Sequence, residues 1–321
     1  MPQPPPRQTP GSAASRLEGA IDGPALARAL AGGAAALAEQ ADAINVINVF
    51  PVPDGDTGTN LSMTMRTAAA AATHAAPVTP LEVARAAADA ALMGAKGNSG
   101  VILSQILAGF AAIPDAPELD AGALAEALGR GRDAAYRLIS EPREGTILTA
   151  IAEAARGAGA AATAGASAEA ALAAAAEAAR AAVANSPNLL PVLKDAGVVD
   201  SGAQGLYVLL EGMLRALRGE SASVSIDHGQ IDATWLAATQ RLHGSEGAGF
   251  CTEFVVRGAG LDREAIRQTL ATMGGSLLVV GGGETVRVHV HAPDPQPVFA
   301  YARTLGEVSQ EKAEDMQAQM D

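Results

Sequence analysis

Asp54 and Asp56 are two carboxylates one residue apart, set in the run Asn45-Val46-Ile47-Asn48-Val49-Phe50-Pro51-Val52-Pro53-Asp54-Gly55-Asp56-Thr57-Gly58-Thr59-Asn60. Carboxylates this close repel unless a cation separates them, and their hard oxygens suit magnesium. Pro51 and Pro53 hold the preceding backbone extended, while Gly55 and Gly58 permit positive φ, so both acids sit on a constrained loop. Thr57 and Asn60 fall where a following helix begins, and the free N–H groups of a helix start favour a phosphate. The stretch reads as a magnesium-nucleotide site. A solvated acidic turn is the plain alternative, and the flanking apolar run and prolines weigh against it. An EF-hand is excluded, because counting from Asp54 puts Thr59 where that loop needs glycine and Met65 where it needs a bidentate glutamate. No Gly-x-x-x-x-Gly-Lys-Ser/Thr sequence occurs, which excludes a P-loop.

Three further glycine-rich loops each introduce a helical stretch. Gly94-Ala95-Lys96-Gly97-Asn98-Ser99-Gly100 presents small residues, an amide and a hydroxyl at a helix start, with Lys96 as a possible positive charge. Read alone, it is better explained as an ordinary cap by Asn98 or Ser99. Arg143-Glu144-Gly145-Thr146 and Asp200-Ser201-Gly202-Ala203-Gln204-Gly205 carry the same ambiguity. Their repetition, rather than any one of them, favours a phosphate-binding reading.

A second chemistry lies near the C-terminal end. In Val286-Arg287-Val288-His289-Val290-His291 the histidines alternate with valines, so a strand here projects both imidazoles from one face. In Phe250-Cys251-Thr252-Glu253-Phe254-Val255-Val256 the same alternation puts Cys251 and Glu253 on one face and Phe254 and Val256 on the other. If the two strands pair, a thiolate and two imidazoles converge on a borderline cation, with zinc the default. Two solvated histidines and a small buried cysteine remain the competing reading.

The elements that must position these groups follow from composition and punctuation. With 321 residues and 49% hydrophobic content the chain suggests two domains with ample core. A net charge of −13 with no basic run excludes the electrostatic footprint of a nucleic-acid binder. The single cysteine excludes an intramolecular disulfide and fits a reducing, cytoplasmic setting. No membrane-spanning window or signal-peptide pattern is found. Residues 1–22 read as a disordered tail. From 23 to 220, alanine-rich segments broken by glycine and proline predict eight helices: 24–43, 57–73, 80–95, 98–112, 120–139, 145–156, 167–185 and 203–217. No strand is expected there. Residues 221–321 predict a smaller α/β domain, with strands at 223–227, 250–256, 276–280 and 285–291, a glycine turn at 281–284, and helices at 261–273 and 295–305.

The run 48–60, together with Gly97-Asn98-Ser99-Gly100-Val101-Ile102-Leu103-Ser104-Gln105, Glu144-Gly145-Thr146-Ile147-Leu148-Thr149 and Leu190-Pro191-Val192-Leu193-Lys194, resembles the kinase domain in the A-subunit of bacterial fatty acid kinase, a relative of the dihydroxyacetone kinase L-subunit. The resemblance implies an eight-helix antiparallel barrel binding ATP and magnesium at one end. Asp54 and Asp56 would then hold the metal, with Asn48 as a third contributor. Thr57, Asn60, Asn98, Ser99 and Gly100 would line the phosphates, and Thr146, Asp200 and Gly202 would lie near the nucleotide. Asn48 stands near the first of the three aspartates found in dihydroxyacetone kinases, leaving the number of metal ions open. Residues 249–318 resemble the middle domain of the same kinase polypeptide, which implies zinc on Cys251, His289 and His291. Lying in a different domain from the acidic loop, that site is expected to be structural or partner-positioning. The implied activity is phosphoryl transfer from ATP to the carboxylate of a fatty acid on a separate fatty-acid-binding partner, which the family engages through a further C-terminal domain. A homodimer is a further option. The rivals are a component of a dihydroxyacetone kinase and a nucleotide-sensing adaptor that transfers nothing.

Overall fold

The computed structural model describes residues 19–74, 79–139, 141–224, 226 and 249–316. Helices fill the first part: α1 (Gly23–Val46), α2 (Thr57–His74), α3 (Pro80–Gly94), α4 (Gly97–Phe110), α5 (Ala121–Leu138), α6 (Ile147–Thr163), α7 (Ala168–Leu189), α8 (Pro191–Ala196) and α9 (Ser201–Leu217). Alanine's helix propensity supplies the tendency, and the starts are set by caps. Asp22, Thr79, Asp120, Thr146, Ser167 and Asp200 each accept a first-turn N–H, a contact worth about 1 kcal/mol apiece. All eight expected helices are present, and the one-and-a-half-turn α8 is an addition.

Helix α7 runs through Pro187 instead of stopping before it. The carbonyl that a proline leaves without its usual partner is that of Val183, and Ser186 Oγ donates to it at 2.7 Å. Two further expectations change. Residues 19–22 are not part of a tail: buried Ile21 pairs with Leu119, and Asp22 with Glu118, in a two-stranded antiparallel sheet of β1 (Ile21–Asp22) and β2 (Glu118–Leu119). The rest of the expected tail lies outside the described residues. A strand at 223–227 is also not found. Residues 223, 224 and 226 lie outside any strand, and 225 and 227 are not among the described residues. Val224 is buried in the helical core, and Ser223 is tied to it by Arg215 and Glu39.

Each long helix packs on its neighbours in sequence from α1 to α7, and α9 packs on both α7 and α1. Buried alanines line these contacts, and small side chains let the axes approach closely. Between α1 and α9 even alanine is too large, since a Cβ on Gly212 would lie 2.6 Å from Ala36 Cβ and 2.9 Å from the Gly32 carbonyl oxygen.

The second part is a three-stranded antiparallel sheet, β3 (Phe250–Leu261), β4 (Gly275–Ala292) and β5 (Glu307–Asp315), in the order β4-β3-β5. Helices α10 (Arg263–Leu270) and α11 (Pro295–Leu305) cover one face, where Phe254, Val256, Val286, Val288 and Val290 form the core with Ile266, Leu270, Val298 and Phe299. The glycine turn expected at 281–284 falls inside β4. Gly281, Gly282 and Gly283 have positive φ, and added Cβ atoms on Gly274 and Gly281 would lie 2.2 and 2.4 Å from the carbonyl oxygens of His291 and Thr285. The two halves of β4 therefore fold back along one another. Strand β5 falls outside the expected elements: its sequence, Glu-Val-Ser-Gln-Glu-Lys-Ala-Glu-Asp, is mostly polar, as a sheet edge tolerates, and only Val308 packs on the core.

The other face of the sheet meets the helices. Leu278 and Val280 are buried with Ala95 and Val101, flanked by Leu92, Ile102, Leu138 and Ile139. This seam sets the sheet beside the starts of α2 and α4.

Candidate functional site at the seam between helices and sheet

A cavity of about 530 Å³ opens at this seam. Asn48, Asp54, Asp56 and Thr57 line it from the α1–α2 loop, Asn98 and Ser99 from the start of α4, and Thr146, Asp200 and Gly202 from the starts of α6 and α9. Cys251, His289 and His291 line it from the sheet. The four loops singled out in the sequence therefore meet in one place.

The acidic pair is held from behind. Asn48, which is buried, donates its Nδ2 to Asp54 Oδ1 at 2.5 Å, and its own Oδ1 accepts from Ser201 Oγ at 3.2 Å. Burial, the charge of Asp56 and a hydrogen bond with Asp56 push the Asp54 carboxyl up to about 7. A divalent cation between the two carboxylates would relieve that repulsion, so this donor set fits magnesium. Held by Ser201 at its oxygen and bonded to Asp54 through its nitrogen, Asn48 orients Asp54.

The start of α4 suits a phosphate. Lys96 at its N-cap makes no side-chain cap, unlike the residues that precede α1, α3, α5, α6, α7 and α9, and the buried Oδ1 of Asn98 has no hydrogen-bond partner. First-turn amides carry the positive end of the helix dipole, and Glu253 takes only that of Gly97. Gly97 has φ +55°, and a Cβ there would lie 2.2 Å from Asn60 Nδ2. Asn60 and Gly100 do not line the cavity. Asn60 supports the Gly97 turn from behind, and Gly100 lets α4 lie against Thr64, whose buried Oγ1 accepts from Lys96 N at 3.2 Å and donates to the Asn60 carbonyl at 2.7 Å. Lys96 is likewise absent from the lining. The cation that faces the cavity is Arg143, the one arginine or lysine among its described lining residues.

Thr146 and Asp200 are occupied by structure. Thr146 accepts from Leu148 N and donates to the Arg143 carbonyl at 2.8 Å. Asp200 accepts from Ala203 N at 2.7 Å and from the amides of Gly202 and Ile147, joining the starts of α9 and α6. Burial nonetheless raises its carboxyl to about 7.

On the sheet, the antiparallel register sets Cys251 opposite His291 and Glu253 opposite His289. One ligand atom from each of Cys251, His289 and His291 lies within 4.8 Å of the others. His289 Nε2 and His291 Nε2 are 3.2 Å apart, against roughly 3.3 Å for two nitrogens on one tetrahedral zinc. Burial, then the charge of His289, lowers His291 to about 4, leaving it a neutral donor. Burial, with the charges of Glu253 and Asp56, pushes the Cys251 thiol up to about 12, a cost that a bound cation removes. The set fits zinc. Because these residues share the cavity with Asp54 and Asp56, a different domain does not mean a distant site, and the ground for a purely structural role is gone.

Two further buried residues share this face; alternation already puts Glu253 beside Cys251, but spacing assigns neither Glu253 nor Arg287 a role at the site. Glu253 Oε1 accepts from Gly97 N at 2.7 Å and lies 3.1 Å from His289 Nδ1. Arg287 lies 3.5 Å from Glu253 Oε2 and donates to the Met93 carbonyl at 2.8 Å. Both residues are 3% exposed or less at the side chain. Burial opposes ionisation of Glu253, but the hydrogen bond and charge of His289, the charge of Arg287 and the Gly97 amide hold it down at about 2.

The family model of the DAK2 domain matches residues 51–215, and that of the fatty acid kinase A-subunit-like middle domain matches 247–321. The chain belongs to the DAK2-domain family and joins that domain to a middle domain of the fatty acid kinase A-subunit type. An uncharacterised protein of Staphylococcus saprophyticus is 38% identical over 310 residues, covering 93% of this chain and 56% of the relative. An uncharacterised protein of Staphylococcus aureus is 37% identical over the same coverage. The chain thus spans about half the length of these relatives. Among solved structures, the dihydroxyacetone kinase of C. freundii, crystallised with AMP-PNP and Mg2+, is similar at a TM-score of 0.43 and 18% identity, covering 67% of this chain and 38% of that one. Among the described residues no helix is long and apolar enough to cross a membrane.

Proposed function

We propose that this chain is the ATP-dependent part of a cytoplasmic fatty acid kinase, transferring the γ-phosphoryl group to the carboxylate of a fatty acid presented by a separate binding protein. The observation that carries this reading is the meeting of Asp54, Asp56 and the start of α4 in one cavity with an apolar wall of Phe50, Ile102, Ile139 and Leu277. That combination suits a metal-bound triphosphate on one side and an adenine ring on the other. The middle domain of the fatty acid kinase type supports the acyl substrate. Residues 23–220 would be the kinase domain, its eight long helices closed as an antiparallel barrel, and 221–321 the domain carrying zinc.

In this reading Asp54 and Asp56 would hold magnesium, which when bound would neutralise phosphate charge. Asn48 and Ser201 fix the rotamer of Asp54. The amides of Asn98 and Ser99 meet phosphate oxygens at the fixed start of α4, and the exposed Arg143 guanidinium swings in to join them. A fatty acid carboxylate is already ionised at neutral pH, so no general base is required. Its oxygen forms the new bond to the γ-phosphorus, the bond from that phosphorus to the β–γ bridging oxygen breaks, and ADP leaves.

The test combines labelled ATP, Mg2+ and a fatty-acid-loaded binding protein, with hydroxylamine trapping the acyl phosphate as a hydroxamate. Transfer by the wild type and its loss in folded Asp54→Ala support the reading. Transfer to dihydroxyacetone with its own binding protein, and not to the fatty acid, would assign the small-substrate kinase. Nucleotide binding without transfer to either would assign the adaptor.

A further inference from the structure

We propose that Glu253 is a positioning residue that couples the Cys251/His289/His291 site to the start of α4, so that zinc tightens nucleotide binding and nucleotide tightens zinc binding. This rests on the reading that phosphates meet α4 and that zinc lies among those three side chains.

One oxygen of Glu253 serves both sites. Oε1 accepts from Gly97 N at 2.7 Å and sits 3.1 Å from His289 Nδ1. With Nδ1–H directed at the carboxylate, the imidazole keeps the tautomer whose Nε2 lone pair faces His291 Nε2. A cation on Nε2 draws density from the ring and strengthens donation from Nδ1–H. That fixes the oxygen which also fixes Gly97, the first residue of α4. The path is stiff at each joint. Arg287 clamps the far oxygen at 3.5 Å while donating to the Met93 carbonyl, so the sheet holds the segment 93–97 at both ends. Gly97 cannot retreat, because Asn60 fills the space where even a Cβ would go. The next residues in line, Asn98 and Ser99, line the cavity. A contact that favours the same loop position from both sides is a reciprocal coupling of affinities.

The test is calorimetric titration of the full chain, zinc-free and zinc-loaded, with AMP-PNP and Mg2+. We expect zinc to tighten AMP-PNP by about five- to twentyfold, in the range usual for coupled sites. In Glu253→Asp, which keeps the charge opposite Arg287 but is one methylene too short to span both partners, both ligands should still bind and the factor should fall to about one. The visible spectrum of the cobalt(II)-substituted protein should shift on adding AMP-PNP in the wild type and not in that variant. Equal AMP-PNP affinity with and without zinc in the wild type overturns the coupling and leaves the site reading standing, as does full coupling in Glu253→Asp. Failure of the wild type to take up zinc, or to bind AMP-PNP in either form, overturns both.

Discussion

Asn48 and Asp54 are joined by a 2.5 Å hydrogen bond from amide to carboxylate, and Ser201 holds the opposite end of the same amide. The arrangement uses one buried polar side chain to aim another, so its loss should act on metal affinity first. In Asn48→Ala the Mg2+ concentration for half-maximal nucleotide binding should rise about tenfold, the effect of one charge-assisted hydrogen bond. Binding measured at saturating Mg2+ should stay close to wild type. An unchanged Mg2+ requirement would mean that Asp54 needs no such support.

The raised carboxyls of Asp54 and Asp200 give the metal-free protein a pH signature. Each titrates near 7 when folded, against an ordinary value of 3.8. The folded state therefore binds more protons than the unfolded state between those values. Its stability contribution is full below 3.8 and is lost as pH rises through about 7, at up to about 1.4 kcal/mol per pH unit for each group. Thermal melts without divalent cations should flatten across this window in Asp200→Asn, which keeps a capping oxygen for Ala203 but no titrating proton. At Asp54 the cation replaces the proton, so the gain in melting temperature from Mg2+ should widen as pH rises. A gain that shrinks would contradict the assignment.

The apolar seam should be separable from the chemistry. Val280 is 1% exposed and packs with Ala95, Val101 and Leu278. Val280→Asp places an unpaired charge in this contact, a change worth several kcal/mol. Limited proteolysis should then cut between the helical part and the sheet, and AMP-PNP affinity should drop, because Glu253 and Arg287 no longer reach segment 93–97. Zinc uptake should persist, since all three ligands sit on β3 and β4. Val280→Ala should behave close to wild type in all three measurements. Loss of zinc along with docking would show that the sheet cannot stand apart from the helices.

These outcomes depend on features that the sequence displays unequally. Helices α1 to α7 and α9 were legible because proline, glycine and capping residues punctuate an otherwise featureless alanine composition. Asp54, Asp56, Asn98 and Ser99 were legible because chemistry and backbone punctuation coincide there. Alternation placed Cys251, His289 and His291 on shared faces, but only the register of β3 against β4 sets Cys251 opposite His291. The contact of Glu253 with Gly97 spans 156 positions in the chain and leaves no periodicity behind. Asn60 and Gly100 stand within a few residues of true lining groups yet face backwards, which spacing from a loop does not reveal. Ser186 hides in the same way: its two hydrogen bonds, to Val183 and from Asp200, make sense of a proline that otherwise reads as a helix stop.

Arg143 offers the last test, because its exposure and its position point in opposite directions. Its side chain is 63% exposed and its ion pair with Glu141 spans 3.2 Å in solvent, a contact worth little for stability. It also lines the cavity, at the end of the loop whose Thr146 holds the Arg143 carbonyl at 2.8 Å. A guanidinium so placed is free to swing onto a transferring phosphoryl group, where charge builds up only as the bond breaks. Arg143→Ala should therefore leave the melting temperature within about a degree and lower kcat roughly a hundredfold, in line with loss of one donor to the transferring group, with a much smaller change in KM for ATP. Arg143→Lys should recover part of kcat, limited by the loss of the forked donor. A drop confined to KM would place Arg143 on the bound nucleotide in the ground state, and no change in either constant would reduce it to a surface partner of Glu141.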